Sequence, residues 1–133
     1  MRKGFTLIEL LAVIVILAII ALIATPIVLS IINDSKRTAT IQSAEFYLDA
    51  TVNAIMKENI KVSGEFNPTT CAVNEEGNIS CDESEETLVV EVEGEKPTSG
   101  EITFDNGNIT DATLEFEGGT VSLNTDNQFV YQD

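Results

Sequence analysis

Residues 5–32 read FTLIELLAVIVILAIIALIATPIVLSII, and this stretch decides the architecture of the chain. Fifteen consecutive apolar residues run from Leu10 to Ala24, and Glu9 is the only charged residue of the stretch. As a helix, the stretch would be roughly 42 Å long, which exceeds the ~30 Å hydrocarbon core of a bilayer. Because apolar residues occur on every side, we expect this helix to lie in lipid or inside a protein bundle.

The rest of the 133-residue chain has the opposite character. Residues 1–37 carry four basic residues and two acids, a net charge of +2, whereas residues 38–133 carry three lysines and 20 acids, a net charge of −17. Such a body does not bind a nucleic-acid backbone, which requires clustered lysine and arginine. The chain has no histidine, which removes the commonest general base and the usual zinc ligand. We therefore predict no enzyme activity, no cofactor and no metal site.

Two simple explanations of the apolar stretch fit it incompletely. A cleaved signal peptide needs small residues at positions −1 and −3 of the cut. A cut after Ala24 would place Leu22 at position −3, and a cut after Ala21 would place Ile19 there. A plain transmembrane anchor leaves Glu9 unexplained, because a carboxylate within an apolar span is costly and by default functional.

The sequence MRKGFTLIEL at 1–10, followed by the apolar run and Pro26, resembles the N-terminal motif of type IV prepilins and type II secretion pseudopilins. The resemblance covers residues 1–35, and the remainder agrees only in general plan. It implies that residues 1–4 are a leader held on the cytoplasmic side by its two basic residues. It also implies that prepilin peptidase cuts between Gly4 and Phe5 and then N-methylates Phe5.

The resemblance implies the partners and the location as well. Before assembly the chain would be a single-pass precursor in the lipid of the cytoplasmic (inner) membrane. An inner-membrane assembly platform with its motor ATPase, together with minor pilins, would then build it into a helical homopolymer. The product would be an extracellular filament on the cell surface, and no direct nucleic-acid binding is expected from its acidic heads.

Glu9 is the residue to which the resemblance assigns assembly. After cleavage the chain would begin with a cationic amine at Phe5, and both charges would lie in apolar surroundings, where an unpaired charge costs several kcal/mol. A salt bridge between Glu9 of one subunit and the Phe5 amine of its neighbour removes both penalties and fixes the axial register. A pair between Glu9 and the N-terminus of its own chain is the alternative.

Pro26 is predicted to kink the helix. Proline has no N–H to bond the carbonyl of Leu22, and its ring clashes with that carbonyl. We expect local weakening over residues 20–26, whereas a proline tolerated in a membrane helix is the alternative.

Residues 33–61 continue the helix in a different character. The polar sequence NDSKR at 33–37 marks the exit from lipid. Apolar residues then return at the spacing of an amphipathic helix, with Tyr47 and Val52 flanking the stripe. The stripe consists of Ile41, Ala44, Leu48, Thr51 and Ile55. We predict one helix from about Phe5 to about Lys61, with an apolar first half (5–32) and an amphipathic second half (33–61).

Residues 62–133 are predicted to form an acidic β-sheet head. Apolar and polar residues alternate in five segments, at 88–93, 102–105, 112–117, 121–124 and 129–132. This period is typical of an antiparallel sheet with one buried face. Turns are expected at Asn106-Gly107, Gly118-Gly119 and Asp126-Asn127. The sequence thus predicts a pilin-like α+β fold, in which the sheet packs on the stripe of the long N-terminal helix.

Cys71 and Cys81 are predicted to form a disulfide. Both follow the apolar stretch, on the side where disulfides persist. Folding residues 71–81 about Glu76 places the two cysteines opposite each other, with Val73 opposite Ile79. Acids near this loop could bind calcium, but no EF-hand pattern is present, and a solvated surface is the preferred interpretation. These acids are Glu75, Glu76, Asp82, Glu83, Glu85 and Glu86.

Three functions follow from these observations. The first is a structural subunit of a type IV pilus-like filament that serves adhesion, motility, aggregation or DNA uptake. The second is a type II secretion or competence pseudopilin of a short envelope-spanning filament, which shares the same N-terminal motif. The third is a membrane-anchored binding domain that never assembles.

Overall fold

The computed structural model describes residues 4–61, 66–82 and 85–132. One helix precedes a seven-stranded sheet in the described part of the chain. The elements are α1 (Leu7–Lys61), β1 (Thr70–Val73), β2 (Ile79–Cys81), β3 (Thr87–Leu88), β4 (Ser99–Asp105), β5 (Asn108–Phe116), β6 (Gly119–Leu123) and β7 (Phe129–Gln132). All strand pairs are antiparallel, in the order β3-β2-β1-β4-β5-β6-β7. The predicted α+β class is confirmed.

The chain divides into two compact units, residues 1–35 and 36–133, and α1 contributes to both. In the first unit, every described side chain is exposed except that of Ala24, which is half-buried. The most apolar window of α1 has a mean hydropathy of 3.2 and no buried residue, so by length and composition the helix can cross a membrane. The helix continues through Thr25 and Pro26, and the kink at Pro26 stays a prediction.

In the second unit, the part of α1 beyond Lys36 packs on one face of the sheet. Apart from the adjacent Tyr47 and Leu48, its buried residues recur three or four positions apart, and they are Thr40, Ala44, Tyr47, Leu48, Thr51 and Ile55. The sheet contributes the fully buried Ile102, Leu114 and Val121, each worth about 1.5–3 kcal/mol of burial energy. The predicted stripe is therefore confirmed, although Tyr47 is completely buried and Ile41 only partly.

Tyr47 connects the helix to the first hairpin of the sheet. Its side chain is completely buried, and its hydroxyl donates a hydrogen bond of 2.8 Å to the carbonyl oxygen of Gly77. Gly77 lies in the β1–β2 turn with φ +78°, and a Cβ there would approach the Cβ of Lys96 to 2.6 Å. Glycine is therefore required at this turn for both its backbone angle and its size.

The first hairpin has the register expected from the sequence. Cys71 faces Cys81, Val73 faces Ile79, and the two cysteines are joined by a disulfide. The hairpin is also part of the main sheet, because β1 pairs with β4 on its other side. The sequence predicts a loop followed by five strands, and it does not predict that β1 and β2 belong to the main sheet.

The predicted strand at 88–93 is wrong beyond its first residue. Only Thr87 and Leu88 pair, because Leu88 faces Ile79, the residue at which β2 begins. The amide of Val90 instead donates to the side-chain oxygen of Asn78, at 3.3 Å, so a side chain replaces the next rung of the ladder. Val90 is still buried, which explains why the alternation in the sequence suggested a strand.

The turns agree with the sequence with one shift. Asn106 and Gly107 both have positive φ (52° and 82°), as a two-residue type I′ hairpin requires. The turn expected at Gly118-Gly119 lies one residue earlier, because Phe116 pairs with Gly119 and leaves Glu117 and Gly118 as the loop.

Replacing Tyr47 with phenylalanine should destabilise the second unit by about 1–3 kcal/mol, since the buried carbonyl of Gly77 loses its donor. Burial also raises the pKa of Tyr47 above its ordinary value of 10.0. The stability from this group should be complete below pH 10 and fall as the pH rises above it, a loss that Tyr47→Phe should lack. Urea unfolding of the full chain in detergent measures both effects. Tyr131→Phe, which alters a partly exposed tyrosine, is the control and should cost less.

Removing the disulfide should also destabilise the second unit. The bond closes a loop between residues 10 positions apart, and the chain-entropy estimate for a loop of this size is about 3 kcal/mol. We expect the Cys71→Ser/Cys81→Ser variant to unfold at lower urea concentration by that amount. A reducing agent should have the same effect on the wild type and none on the variant. An unchanged midpoint would show that the loop is already fixed by the sheet.

Candidate functional site

The N-terminus of α1 is closed by a reciprocal pair of hydrogen bonds between Thr6 and Glu9. The amide of Thr6 donates to Oε2 of Glu9 at 2.9 Å, and the amide of Glu9 donates to Oγ1 of Thr6 at 3.3 Å. The amide of Leu10 then bonds the carbonyl of Thr6, which begins the helical ladder. This arrangement is a capping box, and it satisfies two amides that a helix end otherwise leaves without partners.

The capping role of Glu9 was missed in the sequence, although its signal was present. Thr6-Leu7-Ile8-Glu9 before an apolar run is the [ST]-x-x-[DE] pattern of a capping box. The carboxylate therefore lies at the positive end of the helix dipole, directed towards the chain start.

The peptide bond between Gly4 and Phe5 lies just outside the helix. Residues 4–6 have no regular secondary structure, and the side chain of Phe5 is 84% exposed. A Cβ added at Gly4 would meet no atom within 4 Å among the described residues, so this fold does not itself require glycine there. A non-helical, exposed peptide is the form that a peptidase can bind, and hydrolysis here would create a new amine at Phe5.

The predicted site residues fall into three separate places. Gly4 and Phe5 directly precede α1, and Glu9 lies in the first turn of that helix. Pro26 lies within the helix, directly after Thr25, whose hydroxyl donates a 2.7 Å hydrogen bond to the carbonyl of Ala21. The disulfide belongs to the sheet, where it joins β1 to β2.

Among the acids around the first hairpin, Asp82 has well-defined hydrogen-bond partners. Asp82 accepts hydrogen bonds from the amide and the hydroxyl of Thr69 and from the amide of Thr70. The hydroxyl of Thr69 in particular lowers the pKa of Asp82. Glu83 lies outside the described residues. Within 4–61, 66–82 and 85–132 no group of three or more histidine, cysteine or acidic side chains is close enough to hold a metal ion.

Comparison with known proteins gives a match at the N-terminus of the chain. Neither the curated proteins nor the solved structures contain a match to the chain. The family model described as the prokaryotic N-terminal methylation motif matches residues 1–25, which include Gly4, Phe5 and Glu9. The chain thus carries the N-terminal signature of type IV pilins and pseudopilins, which are structural subunits.

Proposed function

We propose that the chain is a structural subunit of an extracellular type IV pilus-like filament. The observation that carries the proposal is the methylation motif on an apolar helix whose side chains the chain itself leaves exposed. An apolar surface of this length needs lipid around it in the precursor and neighbouring subunits around it in a polymer.

Processing would begin at the exposed Gly4–Phe5 peptide. Prepilin peptidase removes residues 1–4 and methylates the amine of Phe5. An assembly platform with its motor ATPase then extracts the subunit from the membrane, and minor pilins join the same filament. Adhesion, motility, aggregation and DNA uptake are the tasks that such a filament serves.

The capping box suggests how Glu9 would act in assembly. Its carboxylate is held by the amide of Thr6, at the end of the helix where the Phe5 amine of a neighbour would arrive. Little side-chain reorganisation is then needed to form the salt bridge, and two buried charges are neutralised together. A neighbour displaced by one helical turn would leave both charges unpaired, so the pair would set the register.

Pro26 and the acidic surface complete the proposal. The carbonyl of Leu22 lacks its usual helical hydrogen bond, because Pro26 has no N–H to donate. We therefore expect the helix to be weakest near Pro26 and to change its course there when subunits pack closely. The net charge of −17 on residues 38–133 would keep the heads in solvent on the outside of the filament.

A test of the whole proposal uses filaments sheared from producing cells. The intact mass and the N-terminal peptide should show a chain that starts at Phe5, carries one additional methyl group and lacks two protons at the cysteine pair. A protein that remains in membranes and starts at Met1 would exclude the proposal and leave an anchored binding domain. A processed protein that stays within the envelope would instead assign the pseudopilin function.

Substitution of Glu9 separates its charge from its capping bond. Glutamine retains the capping hydrogen bond but removes the charge, whereas alanine removes both. We expect Glu9→Gln and Glu9→Ala to abolish filaments alike while cleavage at Gly4 continues. Glu45→Gln, which removes an exposed charge from the second half of the helix, is the control and should assemble normally. Filaments from Glu9→Gln would show that capping, and not the salt bridge, is the function of this residue.

A further inference from the structure

The last strand of the sheet is attached to α1 through Arg37. The guanidinium carbon of Arg37 lies 5.5 Å from the ring centroid of Tyr131 in β7, within the range of a cation–π interaction. The hydroxyl of Tyr131 donates to the carbonyl of Gly118, and a Cβ on Gly118 would lie 3.1 Å from Oγ1 of Thr40. These contacts all lie within the second unit, and they hold Tyr131 beside the first turns of the part of α1 that belongs to this unit.

The sequence determines the depth of Arg37 relative to a membrane. Basic pairs occur on both sides of the apolar stretch, Arg2-Lys3 before it and Lys36-Arg37 after it. The part of α1 from Leu7 to Lys36 is roughly 44 Å long, and a bilayer with its headgroups is ~40–45 Å thick. With an ordinary tilt of about 20°, Lys36 and Arg37 therefore lie at headgroup level when the start of α1 lies at the headgroups of the opposite leaflet. Because Tyr131 contacts Arg37, its ring lies at that level too.

The chemistry of this surface suits lipid headgroups. Arginine and lysine donate hydrogen bonds to phosphate, and tyrosine is enriched at the membrane–water interface. β7 has the sequence FVYQ and carries no charge, although residues 38–133 have a net charge of −17. The opposite edge of the sheet is acidic, because Glu85 and Glu86 directly precede β3. Asp34 is the one acid in the turn of helix that leads to Arg37.

We propose that Lys36, Arg37 and Tyr131 form a patch that contacts the phosphates of membrane phospholipids before assembly. The proposal rests on the membrane-bound precursor of the proposed function. It assigns a second role to the C-terminal strand, which supports the acidic head at the membrane surface. Extraction of the subunit into a filament would break these contacts.

Tyrosine fluorescence can test the patch without bulky labels. The chain has two tyrosines and no tryptophan, so the emission reports only Tyr47 and Tyr131. The full chain is placed in vesicles of phosphatidylethanolamine and phosphatidylglycerol that contain a lipid with a nitroxide on its headgroup. The difference between wild type and Tyr131→Phe isolates the emission of Tyr131. Tyr47, ten residues beyond Arg37 on the helix and roughly 15 Å further out, is the internal control.

We expect a roughly twofold or larger loss of the Tyr131 emission and no loss of the Tyr47 emission. Replacing Lys36 and Arg37 with glutamine should reduce the quenching of Tyr131 to the level of Tyr47. Replacing Lys57 and Lys61 with glutamine removes the same charge farther along the helix and should change nothing.

Two outcomes would overturn the patch. Equal quenching of both tyrosines would exclude the contact, and unchanged quenching after loss of Lys36 and Arg37 would exclude their role in it. Flotation of the vesicles separates these results from a failure of the proposed function. A chain that floats with an unquenched Tyr131 spans the membrane without the patch, whereas a chain that does not float contradicts both proposals.

Discussion

The uncovered apolar surface of residues 5–32 is the constraint on which the rest of this molecule depends. Apart from the half-buried Ala24, the described side chains there are exposed, and the first unit contains no other described element that could cover this part of α1. Such a surface is stable only inside lipid or against other apolar helices. The sequence therefore requires surroundings that the chain itself does not provide. A single carboxylate within it then becomes a strong determinant of geometry, because every arrangement that leaves Glu9 without a partner is costly.

The second unit is small, and its stability is limited by the size of its hydrophobic core. Its core is a few apolar side chains on one sheet face and one helix stripe, and small cores of this kind commonly need covalent support. The disulfide provides that support at the first hairpin, and the buried hydroxyl of Tyr47 binds the turn of the same hairpin. Helix and sheet are thus joined at the point where the sheet itself is crosslinked.

Periodicity made most of the fold predictable, and pairing partners account for the errors. The stripe from Ile41 to Ile55, the cysteine pair and the Asn106-Gly107 turn follow from local patterns that the structure retains. The segment at 88–93 alternates correctly, yet the length of β2, which the alternation does not encode, ends its pairing at Leu88. At the N-terminus the sequence predicts a role for the charge of Glu9, but not the capping bond that follows from its position three residues after Thr6. Arg37 and Tyr131 are 94 residues apart, and no local pattern could have brought them together.

The order of the strands has a consequence for the kinetics of folding. Every neighbouring pair in the sheet is also consecutive along the chain, except β1 with β4, so most of the sheet can form by successive hairpins with little loop-closure entropy. Folds dominated by such short-range contacts form quickly. In the proposed membrane-bound precursor, the sheet could therefore be complete soon after its strands emerge from the membrane. The interior strands, which could otherwise pair with those of another chain, are then exposed only briefly, whereas β3 and β7 stay at the edges of the sheet.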